Sequence, residues 1–193
     1  VTDAGGQSFE TSRSITVNDQ NDAPTQITLS ATAVNENLAS GTVVATLGAV
    51  DADAQDSGFA GPFTYTLVSG AGSTDNSKFS IDGASLKLME SANFEDKASY
   101  AVRIRVTDAG GQSFETSRSI TVNNLNEAAT ISGQASGAVT EDTQTSVMGQ
   151  LSVVDPDVGQ SSFQSVSPGT MGANGYGTFA MTSSGAWTYT LTN

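Results

Sequence analysis

Oxygen-bearing side chains gather in short motifs along this chain. Glu36 stands in VNEN, Asp51 and Asp53 in VDADAQDSG, Glu95 in NFED and Asp108 in VTDAGG. Two further stretches, DQND with Asp19, Asn21 and Asp22, and NLNE with Asn124, Asn126 and Glu127, are equally rich in carboxylate and amide oxygen. Carboxylates held together repel, by about 4 kcal/mol at roughly 4 Å and an effective dielectric near 20. A hard divalent cation reverses that sign. Ca²⁺ accepts oxygens from carboxylates, amides and backbone carbonyls in flexible geometry, whereas Mg²⁺ demands a stricter octahedron and keeps its waters. The competing reading is that Asp and Asn simply favour turns. One DxD motif does not beat that reading; several motifs converging with two Asx-rich stretches do.

Composition narrows the chemistry further. Twenty acidic residues against seven basic ones leave a formal charge of −13, which disfavours nucleic acid and anionic membrane surfaces, since both require Lys and Arg. Charge alone is also consistent with a solvated acidic surface. With no Cys and no His, disulfides, thiolate zinc sites and imidazole triads are excluded. No nucleophile–base pair can be assembled, so an enzyme is not expected. No apolar run is long enough to span a bilayer as a helix, and membrane insertion is not expected.

The elements that must position these residues read as strands. The expected set is ITLSATAV (27–34), TVVATLGAV (42–50), FTYTLV (63–68), KFSI (78–81), SLKLM (85–89), SYAVRIRVT (99–107) and SFETSRSITV (113–122). In SYAVRIRVT, Tyr100, Val102, Ile104 and Val106 share one face. The following AGG (109–111) supplies the positive φ a hairpin demands. Seven short strands with turn signals predict a Greek-key β-sandwich, and no window has a helical period. In such a sandwich Glu36 and Glu95 fall at the pole where the last strand exits, beside the NLNE stretch. Asp51, Asp53 and Asp108 fall at the opposite pole, beside DQND.

An internal repeat sets the organisation. The eighteen residues VTDAGGQSFETSRSITVN at Val1 return letter for letter at Val106, and a period near 105 residues suits tandem sandwich modules. The chain, opening in mid-pattern, reads as a window on a longer array. Residues 1–22 are the last hairpin and linker of a preceding module, 23–127 a complete module, and 128–193 an incomplete one with four or five strands. In that last part Trp187, Tyr189 and Leu191 follow strand alternation, with a hairpin around SSG (183–185), and are read as core.

On these pieces, residues 23–127 resemble a bacterial cadherin-like domain: VNEN, VDAD, NFE and VTD match its acidic motifs in order, and DQNDAP its linker. The resemblance implies Ca²⁺ between consecutive modules. It assigns Asp19, Asn21, Asp22, Asp51, Asp53 and Asp108 to the N-terminal junction, and Glu36, Asn93, Glu95, Asn124, Asn126 and Glu127 to the C-terminal one. Asn93 and Asn124 stand where the family carries Asp, so the second junction is poorer in charge. Residues 128–193 resemble the VCBS repeat of giant bacterial surface proteins through GAVTED, GQLSVVDPD and YGTFAMTSSGAWTYTL; this adds Asp155 and Asp157 to the C-terminal junction. The all-β tandem modules then imply a calcium-stiffened structural segment of a secreted bacterial adhesin or surface filament. Its partners are neighbouring modules and, through open β-edges, like chains. A carbohydrate-binding module is the alternative, with Phe59, Phe63 and Tyr176 as the candidate platform for polysaccharide.

Overall fold

The clearest alternation in the sequence builds the clearest strand. In a computed structural model, Ser99–Thr107 is extended over its whole length, with Tyr100, Val102, Ile104 and Val106 buried and the residues between them facing outward. The structure describes residues 1–53, 59 and 61–192. The strands, in chain order, are β1 Gln26–Leu29, β2 Ala33–Asn35, β3 Val43–Val50, β4 Thr64–Leu67, β5 Phe79–Asp82, β6 Ser85–Leu88, β7 Ser99–Thr107 and β8 Ser113–Asn123. Then follow β9 Thr130–Gly133, β10 Ser146–Val154, β11 Val166–Met171, β12 Gly177–Met181 and β13 Ala186–Leu191. The only helical element among the described residues is a 3-10 turn, Asn76–Lys78.

Two four-stranded sheets, β1-β3-β6-β5 and β2-β8-β7-β4, form the β-sandwich, and the pairs within them for which register is resolved are antiparallel. Seven strands were expected over this stretch, and there are eight. The difference is ITLSATAV, expected as one strand; it is broken at Ser30–Thr32 into β1 and β2, which join different sheets. Parity explains the break. Ile27 and Val34 are both buried, yet a separation of seven residues would set them on opposite faces of one straight strand. Crossing between sheets lets both point inward.

The described residues divide into two compact units. The first comprises Val1–Ala33, Ala39–Glu90 and Tyr100–Ile120. Its core includes Ile27, Leu47, Leu86, Ile104 and Ile120, with Phe79 set edge-on to Tyr100 at 5.5 Å. Burying each aliphatic side chain of this size contributes about 1.5–3 kcal/mol. Residues 1–18 do not repeat this arrangement. They were expected as a hairpin, but only the bridge Thr2–Ser8 and the turn inside it form, and residues 9–18 join no strand among the described residues.

The second unit comprises Val34–Leu38, Ser91–Ser99 and Thr121–Asn193. It holds one five-stranded sheet of order β11-β12-β13-β10-β9. Trp187 is buried there as expected, stacked on Phe179 at 6.2 Å and donating its indole N–H to Gln134 O at 2.7 Å. The ring lies against Gly149, where any Cβ would collide with it. The hairpin around SSG is the turn between β12 and β13, closed by Thr182 N–H to Ala186 O at 2.9 Å.

Candidate metal centres

The first cluster lies in the first unit, where the DxD turn after β3, the turn after β7 and residues 21–22 meet. Asp51 and Asp53 follow directly from β3, and the Asp53 N–H donates to Asp51 Oδ1 at 3.0 Å in a short Asx turn. Asp53 Oδ2 accepts the N–H of Asp22 at 2.6 Å. Asp108 caps the hairpin after β7: its Oδ1 accepts the Gln112 N–H at 2.9 Å, and its Oδ2 accepts from Asn21 Nδ2 at 3.0 Å. Gln112 Nε2 donates to Asn21 O. Gly110 is required beside this contact, since a Cβ there would fall on the Asn21 amide. Asp51, Asp53 and Asp108 are all buried. Asp51 Oδ2 and Asn21 Oδ1 are buried oxygens with no hydrogen-bond partner, an arrangement that costs free energy unless something else meets them. Asp19 is exposed.

The second cluster lies in the second unit. Oxygens of Glu36, Glu95 and Glu127 lie within 4.8 Å of one another. Glu36, at the end of β2, is 1% exposed. Its Oε1 accepts the Leu125 N–H at 2.6 Å and its Oε2 the Phe94 N–H at 2.8 Å. These backbone donors, Leu125 first and Phe94 next, hold the Glu36 carboxyl below its ordinary range. Glu95 moves the other way. Its own backbone N–H stabilises the anion, but burial and the neighbouring charges of Glu36 and Glu127 outweigh it and push the carboxyl up. Asn124 Nδ2 donates to Glu95 Oε1 at 3.3 Å, and Glu127 N–H to Asp157 Oδ2 at 2.9 Å. Asp157 is buried, and its N–H donates to Asp155 Oδ1 at 2.9 Å. Glu127 Oε2 is buried with no partner. Asn126 turns its amide onto Glu127 O at 3.0 Å, and Asn93 caps the turn of Asp96 at 3.1 Å.

The two clusters repeat one construction. A linker N–H, of Asp22 or Glu127, binds the second aspartate of a DxD turn, whose own N–H binds the first. The structure thus brings Asn21, Asp22, Asp51, Asp53 and Asp108 together in one place, and Glu36, Glu95, Asn124, Glu127, Asp155 and Asp157 into a second hydrogen-bonded set. Asn93 and Asn126 show only local main-chain contacts among the bonds described. Sequence reasoning missed Asn37. It takes a left-handed conformation, φ 62°, and donates its amide to Glu127 Oε1 at 2.5 Å. The signal was available in VNEN, because Asn tolerates that backbone region better than most residues. Of the aromatics considered as a sugar platform, Tyr176 is exposed, and Phe59 and Phe63 are half-buried.

Both sets fit a calcium ion on chemical grounds: every donor is a hard oxygen, carboxylates are held against their mutual repulsion, and buried oxygens are left over. In the second unit, Lys97 is the one basic residue against eight acidic ones (Glu36, Glu95, Asp96, Glu127, Glu141, Asp142, Asp155, Asp157).

Comparison with known proteins agrees with the fold. The sequence model of the cadherin domain matches residues 30–123. A search of curated proteins returned no match. Among solved structures, human Protocadherin-24 EC1-2 is 20% identical with a TM-score of 0.57, over 89% of this chain and 80% of that one. The human Desmocollin-1 ectodomain is 20% identical with a TM-score of 0.52, over 100% of this chain and 38% of that one. A Protocadherin gammaB7 EC3-6 structure, described as a cis-dimer, is 22% identical with a TM-score of 0.52, over 89% of this chain and 40% of that one. The chain therefore spans about two-fifths of that structure's length. At these identities the likeness is one of fold: a cadherin-type β-sandwich.

Proposed function

We propose that this chain is a run of tandem cadherin-type modules in a long extracellular adhesin or surface filament, stiffened by Ca²⁺ at its acidic clusters. The observation that carries the reading is the Glu36–Glu95–Glu127 group, three carboxylates within 4.8 Å with the Glu127 Oε2 atom buried and unpartnered. Glu36, Glu95, Glu127, Asp155 and Asp157 would hold one site; Asn21, Asp22, Asp51, Asp53 and Asp108 would hold the other. The ion supplies positive charge that turns mutual repulsion into a shared ligand shell. The chain supplies the shell's geometry: main-chain donors fix Glu36, and the DxD turns fix the aspartates. Because each ligand set draws on linker residues and on residues of the strands around them, binding restricts the linker. Asn124 would join the second set through its bond to Glu95, and Asp19, Asn93 and Asn126 are assigned to the edges of the sets on residue type alone. The VCBS-type motifs of residues 128–193 and the letter-for-letter internal repeat support a bacterial cell-surface or biofilm setting with many such modules.

Extracellular calcium modules typically bind at about 10⁻⁴–10⁻³ M. Titration calorimetry with Ca²⁺ should therefore show saturable binding in the millimolar range or below. The substitution Glu36→Gln should weaken the second site by about tenfold, which corresponds to 1.4 kcal/mol, and leave the first site unchanged. Absence of calcium binding by the native chain would overturn the reading.

A further inference from the structure

The carboxylates of the Glu36–Glu95–Glu127 group are held in different ways. Glu36 is fixed by two main-chain donors, the N–H groups of Leu125 and Phe94. Glu127 is held by a side chain: Asn37 Nδ2 donates to its Oε1 at 2.5 Å, while its Oε2 lies buried and unpartnered. We propose that Asn37 is a positioning residue of this set, whose amide holds Glu127 beside the other two carboxylates and so keeps Oε2 for the cation. This role presupposes the calcium reading of the cluster and adds to it an uncharged residue.

Both ends of the Asn37–Glu127 bond are anchored through the main chain. The Asn37 N–H donates to Ala92 O at 2.9 Å, and the Glu127 N–H donates to Asp157 Oδ2 at 2.9 Å. The turn that carries Asn37 does not itself need an amide. Asp142 follows Glu141 as Asn37 follows Glu36, in VTED against VNEN and 105 residues later. The two residues take the same left-handed backbone, φ 65° and φ 62°. That region admits Asn, Asp and Gly, so the turn is satisfied by either Asn or Asp. What Asn adds at position 37 is a hydrogen-bond donor, and the group it reaches is Glu127.

The choice of a neutral donor has a consequence for cation binding. Glu127 is only half-buried, and repulsion from Glu36 and Glu95 pushes its carboxylate toward solvent. A lysine or arginine at position 37 would hold it as firmly, but would cancel one of the charges that attract the ion. An amide holds the carboxylate and leaves its charge whole. Partners that orient a metal ligand in this way typically supply about 10–100-fold in metal affinity.

Titration calorimetry with Ca²⁺ compares the native chain with Asn37→Gly, a residue at ease in the left-handed region. The binding component that Glu36→Gln weakens identifies the second set. Asn37→Gly should weaken that component by about tenfold or more and leave the other unchanged. A second measurement needs neither calcium nor a change at position 37. In the calcium-free chain, the Asn37 side-chain amide proton that faces Glu127 should resonate downfield in the NMR spectrum, and Glu127→Ala should move it upfield. Melting temperatures of Asn37→Gly that fall equally in calcium and in chelator, with both affinities unchanged, would show a purely structural role and overturn the assignment. An Asn37 amide proton indifferent to Glu127→Ala would overturn it too, and in both cases the calcium reading stands. A native chain that takes up no calcium overturns both.

Discussion

Eighteen identical residues occur twice in this chain and take two different structures. Val106, Ile120 and Val122 are at most 1% exposed, whereas their twins Val1, Ile15 and Val17 are 97%, 87% and 88% exposed. What the two copies share is local. Each closes its hairpin turn on an aspartate and a glycine of positive φ, Gly6 at 84° and Gly111 at 89°. Each also bonds Arg to Thr two residues earlier, Arg13 to Thr11 at 2.9 Å and Arg118 to Thr116 at 3.1 Å. What only the second copy has is non-local: strand partners on both sides, Arg118 to Ile27 O, and Glu115 between two arginines. Turn chemistry is thus encoded in the segment itself, while the strand exists only where a sheet receives it, as expected if β-propensity measures packing more than backbone preference.

The same substitution placed in each copy breaks the symmetry most strongly in the core. Ile120→Ala should lower unfolding free energy by about 2–5 kcal/mol, and Ile15→Ala should stay within about 0.5 kcal/mol of the parent; urea denaturation followed by circular dichroism reads both. An equal effect at both positions would show that the first copy is packed as well. The next contrast lies at the turn. Gly110→Ala pushes the Asn21 amide away from Asp108, while at Gly5 the nearest neighbour of an added Cβ is Asp3 Oδ1 at 3.4 Å. Losing the Asn21–Asp108 bond should cost about 0.5–1.5 kcal/mol and weaken calcium at the first cluster only, whereas Gly5→Ala should leave both unchanged.

The smallest contrast concerns pH. Hydrogen bonds from Arg105 and Arg103 hold the Glu115 carboxyl below its ordinary value of 4.5. A depressed carboxyl stabilises the fold fully above its unfolded-state value, and that contribution fades as pH falls through the lowered folded-state value. Glu115→Gln should therefore lower the melting temperature at neutral pH, with the difference from the parent shrinking on acidification below the usual carboxylate range. Glu10→Gln, at an exposed position of the first copy, should stay within about 0.5 kcal/mol of the parent.

Much of this was legible from sequence. The β7 segment was read residue for residue, because four apolar side chains at strict period two leave one register open. The β8 segment was placed to within its final residue, Asn123. The ITLSATAV segment misled because small residues between Leu29 and Val34 hide a change of face that only the odd spacing of Ile27 and Val34 betrays. The first copy carries the same strand signal as its twin, which states what the segment can pair with rather than whether it is paired. At the acidic clusters, residue types pointed to groups of residues that the structure brings together. The contacts that hold the carboxylates, from the main-chain N–H groups of Asp22, Phe94, Leu125 and Glu127, carry no side-chain signature and could not be read.

The central claim, that calcium at these clusters stiffens a tandem array, is tested most directly by small-angle scattering of the chain in millimolar Ca²⁺ and again with a chelator. The account predicts a longer, narrower distance distribution with calcium and a broader, more compact one after chelation, reversible on adding the ion back. Superimposable curves under the two conditions, from a chain that calorimetry shows to be calcium-bound in one of them, would contradict it.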